Sequence, residues 1–507
     1  MDVIGNRTLR DLLQVQAACY GDKIFLVHET AQEEITEFSY REICRKAFEI
    51  ATYLESKGLK KGDKVFVFLR NTPNFIATWF GIVSAGLVMV PGNIYLTESE
   101  IEYQIQHSDP SLIVTEDNYL EVIKKSINSK KIEITLENDI VAESEGITQD
   151  SPLPSITSDD LAQVLYTSGT SARPKGVMLT HANFIWSAIS SALHSNFTPN
   201  DRIFNNKPLF HANCQDSVVS GLFSGATVII GERYSASRYM TQLVRHKATV
   251  CSLSGMLCRT LLNQPASALD TSHSIRFAGY AINISEDEIQ RFQERFNIKL
   301  RNSYGQSESM LYVTFESLTG PSTYPSIGRP AIGRDVFIVD ENALPLSANQ
   351  TGEIVVSGIR GRTLMLGYLN DETATKETLK NGWLHTGDLG YFDEAGNLFF
   401  FGRKKEIIKR SGENISAAEV EEALMMHPSV RDVAVIGIPD PVRDQAVMAC
   451  IVTRNDTSIT QADITEHCQK YLAYFKVPTY IKFFDELPRN ASGKVLKREL
   501  IERSKNG

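Results

Sequence analysis

Cysteine is sparse in this chain and follows no pattern. The seven residues Cys19, Cys44, Cys214, Cys251, Cys258, Cys450 and Cys468 are odd in number and never fall as CxxC, which argues against a disulfide framework or a zinc site and fits a reducing, cytoplasmic setting. A long apolar run is missing too. The longest, WFGIVSAGLVMV over 79–90, stops at Pro91, short of the roughly 20 residues that cross a bilayer. No integral membrane association is expected, and the run reads as a buried helix leading into a strand. Positive charge is in deficit, with 52 Lys and Arg against 61 Asp and Glu and a net charge of −9. Nucleic acid is therefore not an expected partner, since its binders carry a basic surface. A small anion is still open, because one basic loop can act inside an acidic protein. The opening MDVIGNRTLRDLL has an early acid and no apolar centre, so it is not expected to be a signal peptide. No internal repeat or low-complexity tract is visible.

What is present is the composition of a globular enzyme-sized protein, 42 % hydrophobic and 22 % charged. At 507 residues it exceeds the size of a single core, so two or more domains are expected. Short β-rich runs alternate with helical patterns. KVFVFL (64–69), SLIVTE (111–116), ATVIIGE (226–232) and ATVCSLS (248–254) read as strands. Apolar residues at Ile43, Ala47, Phe48, Ala51 and Leu54 have helical spacing, and Gly58 ends that helix. Thr97 with Glu100, and Ser416 with Glu419, have the spacing of capping boxes. Such alternation favours parallel sheets covered on both faces. The polar segment 143–160 reads as an exposed connection, and GYFDEAGNLFFFGR (390–403) as antiparallel strands around a tight turn. A boundary is expected near 401–405, followed by a small domain of about a hundred residues.

One stretch asks for a ligand. YTSGTSARPKGVMLTH (166–181) packs hydroxyls, a glycine and a proline ahead of Lys175 and a second glycine just after it, between two strand-like runs. It is not a Walker A loop, because GxxxxGKS/T cannot be aligned to it. Backbone N–H groups in a glycine-containing turn can still cradle an anion, with Lys175 adding charge. On composition alone an exposed turn accounts for the same residues equally well.

TSGTSARPKGVMLTH resembles the phosphate loop of the adenylate-forming (AMP-binding) enzymes, which include acyl-CoA synthetases. PLFH (208–211), NSYGQSE (302–308), TGE (351–353), GWLHTGD (382–388), GRKKEIIKRSGENISAAEVE (402–421) and PRNASGK (488–494) match further motifs of that family in order. The resemblance implies an α/β fold: a large N-terminal domain, 1–402, of parallel-rich sheets with helices plus a small distorted barrel, and a small mobile α+β C-terminal domain, 403–507, hinged near Lys405. It also implies the reaction, in which ATP with Mg2+ converts a small carboxylic acid to acyl-AMP and coenzyme A then takes the acyl group. Ser171 and Ala172 stand where Thr and Gly are usual, and Ser307 where Thr is commoner. Each replacement keeps the motif's lysine or carboxylate.

The family resemblance carries roles onto particular residues. Thr167, Ser168, Gly169, Thr170, Ser171 and Lys175 would hold phosphate, with Thr170 and Glu308 at Mg2+. Asn302, Ser303, Tyr304, Gly305 and Ser307 would hold the nucleoside, Tyr304 by stacking on adenine. Gly279, Tyr280 and Ala281 would form the rest of that slot, although FAGYAINIS departs from the usual GGAPLS pattern. Asp388 would accept from ribose hydroxyls, and Arg403 and Lys409 would contact the nucleotide. Ser411 and Gly412 would meet coenzyme A, His211 would lie between acid and thiol, and Lys494 would bond the α-phosphate during adenylation. Each has a plainer alternative: a capping glutamate at Glu308, a core tyrosine at Tyr304, a turn aspartate at Asp388, an ion-pair arginine at Arg403, a satisfied histidine at His211, a basic tail around Lys494. No carrier domain follows Lys494, which favours free coenzyme A over a tethered acceptor. FHANCQ, SARPKGV, ERYSA and NIS further resemble bacterial crotonobetaine/carnitine-CoA ligases, whose cationic acid would want aromatic faces or a carboxylate; Asp216, Tyr280 and Trp186 are the candidates. A homodimer is left open.

Overall fold

The structure is a computed structural model and describes residues 3–128, 131–147, 152–167, 174–281, 284–410, 413–440, 444–454, 459–489 and 494–505. The chain divides into two compact units. The first comprises Met1–Ile282, Asp287–Val336 and Val356–His385, and the second Asn283–Glu286, Phe337–Val355 and Thr386–Gly507.

Two parallel-rich sheets dominate the first unit. In one, strands Ile24–Glu29, Thr227–Gly231, Arg202–Phe204, Val250–Ser254, Phe277–Ala281 and Leu300–Gln306 run parallel in that spatial order, with antiparallel Ile35–Ser39 and Leu311–Phe315 beyond the two ends. In the other, Glu133–Leu136, Leu112–Thr115, Lys64–Phe68, Val88–Pro91 and Leu161–Thr167 are parallel, and Lys175–Thr180 and Gly367–Tyr368 close the edge antiparallel. Strands covered on both faces must be apolar throughout, and Val65, Phe66 and Val67 are fully buried.

The helical spacing from Ile43 to Leu54 becomes helix Tyr40–Ser56, whose buried stripe includes Ile43, Ala47, Ile50, Ala51 and Leu54. It packs on Pro73–Ser84, where a Cβ on Gly81 would come 2.6 Å from Ile50 Cγ2; the glycine sets how closely these helices approach. The apolar run at 79–90 divides as expected into the end of that helix and strand Val88–Pro91. Thr97 opens helix Glu98–Ser108 with the expected capping box. The described part of the connection 143–160 is largely exposed, as expected, but tied down at points. Ile156 and Ser158 are buried, and Arg10 and Lys61 donate to the carbonyls of Pro154 and Ser155. Main-chain acceptors, absent from any hydropathy reading, draw it onto the surface.

In the second unit, the part of strand Trp383–Phe392 from Thr386 on and strand Leu398–Arg403 form the expected antiparallel pair, turning over Asp393–Asn397 with Gly396 at φ 80°. Beyond them the strands Ile407–Arg410, Glu413–Ser416, Val430–Asp440, Asp444–Thr453 and Tyr480–Phe483 make a sheet that shares a core with helices Ala417–Met425 and Gln461–Tyr471. Ser416 does cap its helix, accepting from the Glu419 backbone N–H. The reciprocal half of the expected box is absent: the Glu419 carboxylate accepts instead from Lys476 Nζ at 2.5 Å, since a full charge outcompetes a backbone amide. All seven cysteines are unpaired. Among the described residues no helix is long and apolar enough to cross a membrane.

Candidate active site

The hydroxyl-rich stretch lies between two strands, as its flanking alternation predicted. Leu161–Thr167 and Lys175–Thr180 pair antiparallel, with Thr167 directly opposite Lys175. Ser168, Gly169, Thr170 and Ser171 lie outside the described residues. Lys175 is half-buried, and its Nζ sits 4.7 Å from the centroid of the Tyr368 ring. The Tyr368 hydroxyl in turn donates to Glu308 Oε1 at 2.8 Å. Backbone contacts fix this relay. Leu366 and Leu369 N–H groups bond to the carbonyls of Met178 and Gly176, and Met365 N–H bonds to the Glu308 carbonyl at 2.8 Å. Burial, then the neighbouring carboxylate, pushes the Tyr368 hydroxyl well above the ordinary phenol range, so it remains a donor. Sequence reading missed Tyr368, because GYLND looks like any strand aromatic before a turn.

Glu308 lies in the 3-10 turn Ser307–Ser309 at the end of strand Leu300–Gln306. Among the described residues no group of three or more His, Cys, Asp or Glu could hold a metal. One half-buried carboxylate with an oxygen fixed by tyrosine suits Mg2+, a hard cation that takes most of its ligands from phosphate and water.

The NSYGQSE strand lies beside FAGYA. Phe277–Ala281 and Leu300–Gln306 are neighbouring parallel strands with Tyr280 opposite Asn302, and Ser303 Oγ donates to the Tyr280 carbonyl at 3.3 Å. Asn302 Nδ2 donates to the Ser326 carbonyl at 3.0 Å, and Gln306 Nε2 to the Tyr304 hydroxyl at 3.2 Å. Gly305 is required where it stands: a Cβ there would meet the Leu311 carbonyl at 2.3 Å, at the irregularity where the strand bends toward Glu308. The structure thus brings Gly279, Tyr280, Ala281, Asn302, Ser303, Tyr304 and Gly305 together at the carboxyl ends of adjacent parallel strands, with Ser307 and Glu308 next in line. That is where open α/β sheets bind ligands.

His211 precedes helix Ala212–Ser224 as its N-cap residue, half-buried, with its ring edge-on to Phe210 at 4.6 Å between centroids. Two charged groups lie on the same stretch, of which sequence reading missed Lys207 and named Asp216 only as a candidate for a cationic acid. Lys207 Nζ donates to Asn213 Oδ1 at 3.3 Å, Ser252 Oγ at 2.9 Å and the Leu253 carbonyl at 2.8 Å, and burial without a carboxylate partner lowers it to about 8. Ser252 lies opposite Gly279, so this amine sits beneath the strand ends just described. Asp216 accepts from the Ser187 hydroxyl and from Ser191 Oγ at 2.7 Å, and burial pushes it up to about 7 despite those donors. Trp186 already carries the Arg334 guanidinium 5.4 Å from its ring. Asp216 and Trp186 therefore do not form a vacant cage for a cationic acid.

In the second unit, Asp388 and Arg403 are cross-strand neighbours, with Arg403 Nε 3.3 Å from Asp388 Oδ1 and Asp388 only 2 % exposed. The two residues expected at the ribose are thus paired with each other. Lys405 lies in the turn Lys404–Glu406, and Lys405 and Lys409 are exposed. Ser411 and Gly412 lie outside the described residues. Lys494 is exposed beside the isolated bridge of Arg489 with Val495. Three residues on, Lys497 is held by Glu406 at 2.8 Å and Glu421 at 2.9 Å, which leaves Lys497 as an anchor rather than part of a solvated basic tail.

Known proteins resemble this chain in sequence and fold. The sequence profile of the AMP-binding enzymes matches residues 13–369, and that of the AMP-binding enzyme C-terminal domain residues 419–494. The crotonobetaine/carnitine–CoA ligase of Salmonella enteritidis is 35 % identical over 516 aligned positions, 99 % of this chain and 100 % of that protein. The ligase of the same name from Salmonella paratyphi C is 36 % identical over the same coverage. Among solved structures, o-succinylbenzoate-CoA synthetase (MenE) of Bacillus subtilis with its acyl-adenylate intermediate gives a TM-score of 0.88 at 27 % identity, covering 96 % of this chain and 97 % of that one. The same enzyme with ATP and magnesium ion gives 0.86 at 26 % identity, covering 96 % and 98 %. The chain belongs to the AMP-binding enzymes, the family of adenylate-forming acyl-CoA synthetases.

Proposed function

We propose that the protein is an ATP-dependent acid–CoA ligase acting on a small carboxylic acid in the cytoplasm. A carboxylate oxygen attacks the α-phosphorus of ATP, the bond to the β-phosphate oxygen breaks, and pyrophosphate leaves. The resulting acyl-AMP is a mixed anhydride. Coenzyme A, attacking as its thiolate, then forms the thioester bond and expels AMP.

The observation that carries this reading is the relay of Lys175, Tyr368 and Glu308 beside the strand ends of Phe277–Ala281 and Leu300–Gln306. It supplies a cation for phosphate, a carboxylate for Mg2+, and a slot for a flat base. The bound Mg2+ would neutralise phosphate charge; the chain's own part is to orient the nucleotide. Thr167 to Ser171 and Lys175 would grip phosphate, and Thr170 and Glu308 would hold Mg2+. Gly279 to Ala281, Asn302 to Gly305 and Ser307 hold the nucleoside. Asp388 accepts from the ribose hydroxyls beside Arg403, and Lys409 lends further charge. His211, at a helix N-terminus, orients the acid carboxylate. Lys494 stabilises charge developing at the α-phosphate, where a preorganised cation has most effect. Rotation of a domain starting at residue 403, about Lys405, then exchanges Lys494 for Ser411 and Gly412, the second lacking a Cβ where the pantetheine arm passes.

The acid is the open part of the proposal. The relatives' names point to crotonobetaine or carnitine, yet Asp216 is bonded by two serines and Trp186 by Arg334. A useful panel therefore spans betaines, short-chain, fatty, dicarboxylic and aromatic acids. Acid-dependent ATP–pyrophosphate exchange identifies the acid, and thioester detection with coenzyme A on each hit completes the assignment. Exchange without a coenzyme A thioester would make the protein a loader of a separate carrier, and no exchange on any acid would overturn the reading.

A further inference from the structure

Lys175 and Glu308 carry opposite charges, flank the same tyrosine, and form no ion pair with each other among the described residues. We propose that Tyr368 is a positioning residue that keeps them apart and aimed, its ring face holding the ammonium and its hydroxyl holding the carboxylate. The inference rests on the ligase reading above, which gives Lys175 to phosphate and Glu308 to Mg2+.

The physical case begins with what an untethered pair would do. A lysine ends in a compact charge on a flexible stem, and a carboxylate within reach draws it into a salt bridge that satisfies both groups. Such a bridge would consume in advance the charges that nucleotide and metal need. A neutral residue between them removes that competition only if it offers each a favourable contact, and tyrosine does both. Its ring face attracts a cation and its O–H donates to a carboxylate.

The surroundings hold the ring to this task. Tyr368 is 7 % exposed. Its backbone N–H donates to Thr375 Oγ1 at 2.8 Å, and its strand pairs with the one carrying Lys175, Tyr368 opposite Val177. The N–H of Met365, three residues earlier, bonds the carbonyl of Glu308 itself. One short segment, 365–369, is therefore tied both to the strand of the lysine and to the turn of the carboxylate. With two side-chain torsions and buried surroundings, the ring has little freedom to leave either.

Two substitutions separate its two contacts. Tyr368→Phe keeps the ring and loses the hydroxyl; Tyr368→Leu loses both. The probes are ATP in EDTA, titrated by calorimetry, and Mn2+ added to the protein–ATP complex, followed by electron paramagnetic resonance. Neither requires turnover. Tyr368→Phe is expected to bind metal-free ATP within about twofold of wild type while binding Mn2+ roughly five- to tenfold more weakly. Tyr368→Leu is expected to weaken metal-free ATP about fivefold or more as well. In a Glu308→Gln background, Tyr368→Phe should have no further effect on Mn2+, which a merely structural role would not produce. Unchanged Mn2+ affinity in Tyr368→Phe, beside a wild type that binds both probes, overturns the role of Tyr368 alone. A wild type that binds no ATP overturns the ligase reading and this inference with it. Should Tyr368→Leu fail to fold, Tyr368→Phe and the double variant still decide.

Discussion

Asp216 offers the sharpest quantitative test, because its environment contains donors but no cation. It sits on helix Ala212–Ser224, 4 % exposed, with Ser187 and Ser191 of helix His181–Ser195 as its hydrogen-bond partners and the Tyr312 hydroxyl from strand Leu311–Phe315 nearby. Burial raises it from the ordinary 3.8 to about 7, opposed only partly by the serines. A carboxyl raised on folding holds its proton in the native state while the unfolded chain has released it. Its contribution to stability is therefore complete below about pH 4, falls as pH rises through the interval up to 7, and is gone above it. The whole interval corresponds to roughly 4 kcal/mol, of which about 2.5 kcal/mol falls between pH 5 and 8. Asp216→Asn keeps an acceptor for the serines and cannot ionise. The stability difference, variant minus wild type, should thus become about 2–3 kcal/mol more favourable to the variant on going from pH 5 to pH 8. Urea unfolding followed by tryptophan emission measures this cleanly, since Trp79, Trp186 and Trp383 all belong to the first unit. Parallel wild-type and variant curves across that pH range would refute the reasoning and mean that water or an unseen partner charge already stabilises the carboxylate.

Other outcomes follow from the same structure. Lys494→Ala should abolish acyl-AMP formation while sparing thioester formation from supplied acyl-AMP; equal loss of both half-reactions contradicts its assignment. Lys497→Met leaves Glu421 and Glu406 unpaired and should cost about 3 kcal/mol at pH 7, read by hydrogen exchange in helix Lys497–Lys505 and strand Val430–Asp440. Burial works to lower Lys497, but Glu421 and Glu406 outweigh it and raise it above the ordinary lysine value. The stabilisation is therefore full below about pH 10 and lost as pH climbs past that raised value, so the gap between variant and wild type should close in strong alkali. Asp388→Asn should weaken AMP binding roughly tenfold, by calorimetry, because a neutral amide accepts more weakly from ribose hydroxyls and no longer pairs with Arg403.

How much of this was legible beforehand depends on how far apart the partners lie along the chain. The hairpin around the hydroxyl-rich loop could be read because two alternating strands and the turn residues between them are contiguous, and Thr167 meets Lys175 across it. NSYGQSE was picked out only by its resemblance to a family motif; that it forms a strand running into the turn of Glu308 comes from the structure. Residue type alone said less. Ser416 and Glu419 have capping-box spacing, and only half of the box forms, because Lys476 reaches Glu419 from 57 residues away. Tyr368 meets Glu308 across 60 residues, and Lys207 meets Ser252 across 45. No local pattern marks such contacts, since each residue is an ordinary choice for its own strand or loop. Aspartate at 216 was noticed for a charge it could offer to a cationic acid, whereas the fold gives it two serine hydroxyls and so little water that it holds its proton to about pH 7. A carboxyl that is neutral below that pH attracts a trimethylammonium group weakly, and one ionised above it would have to release its serines to face one. Lys207 is held in the same way, its three N–H donors taken by Asn213, Ser252 and the Leu253 carbonyl, so neither of these two groups selects the acid by its charge.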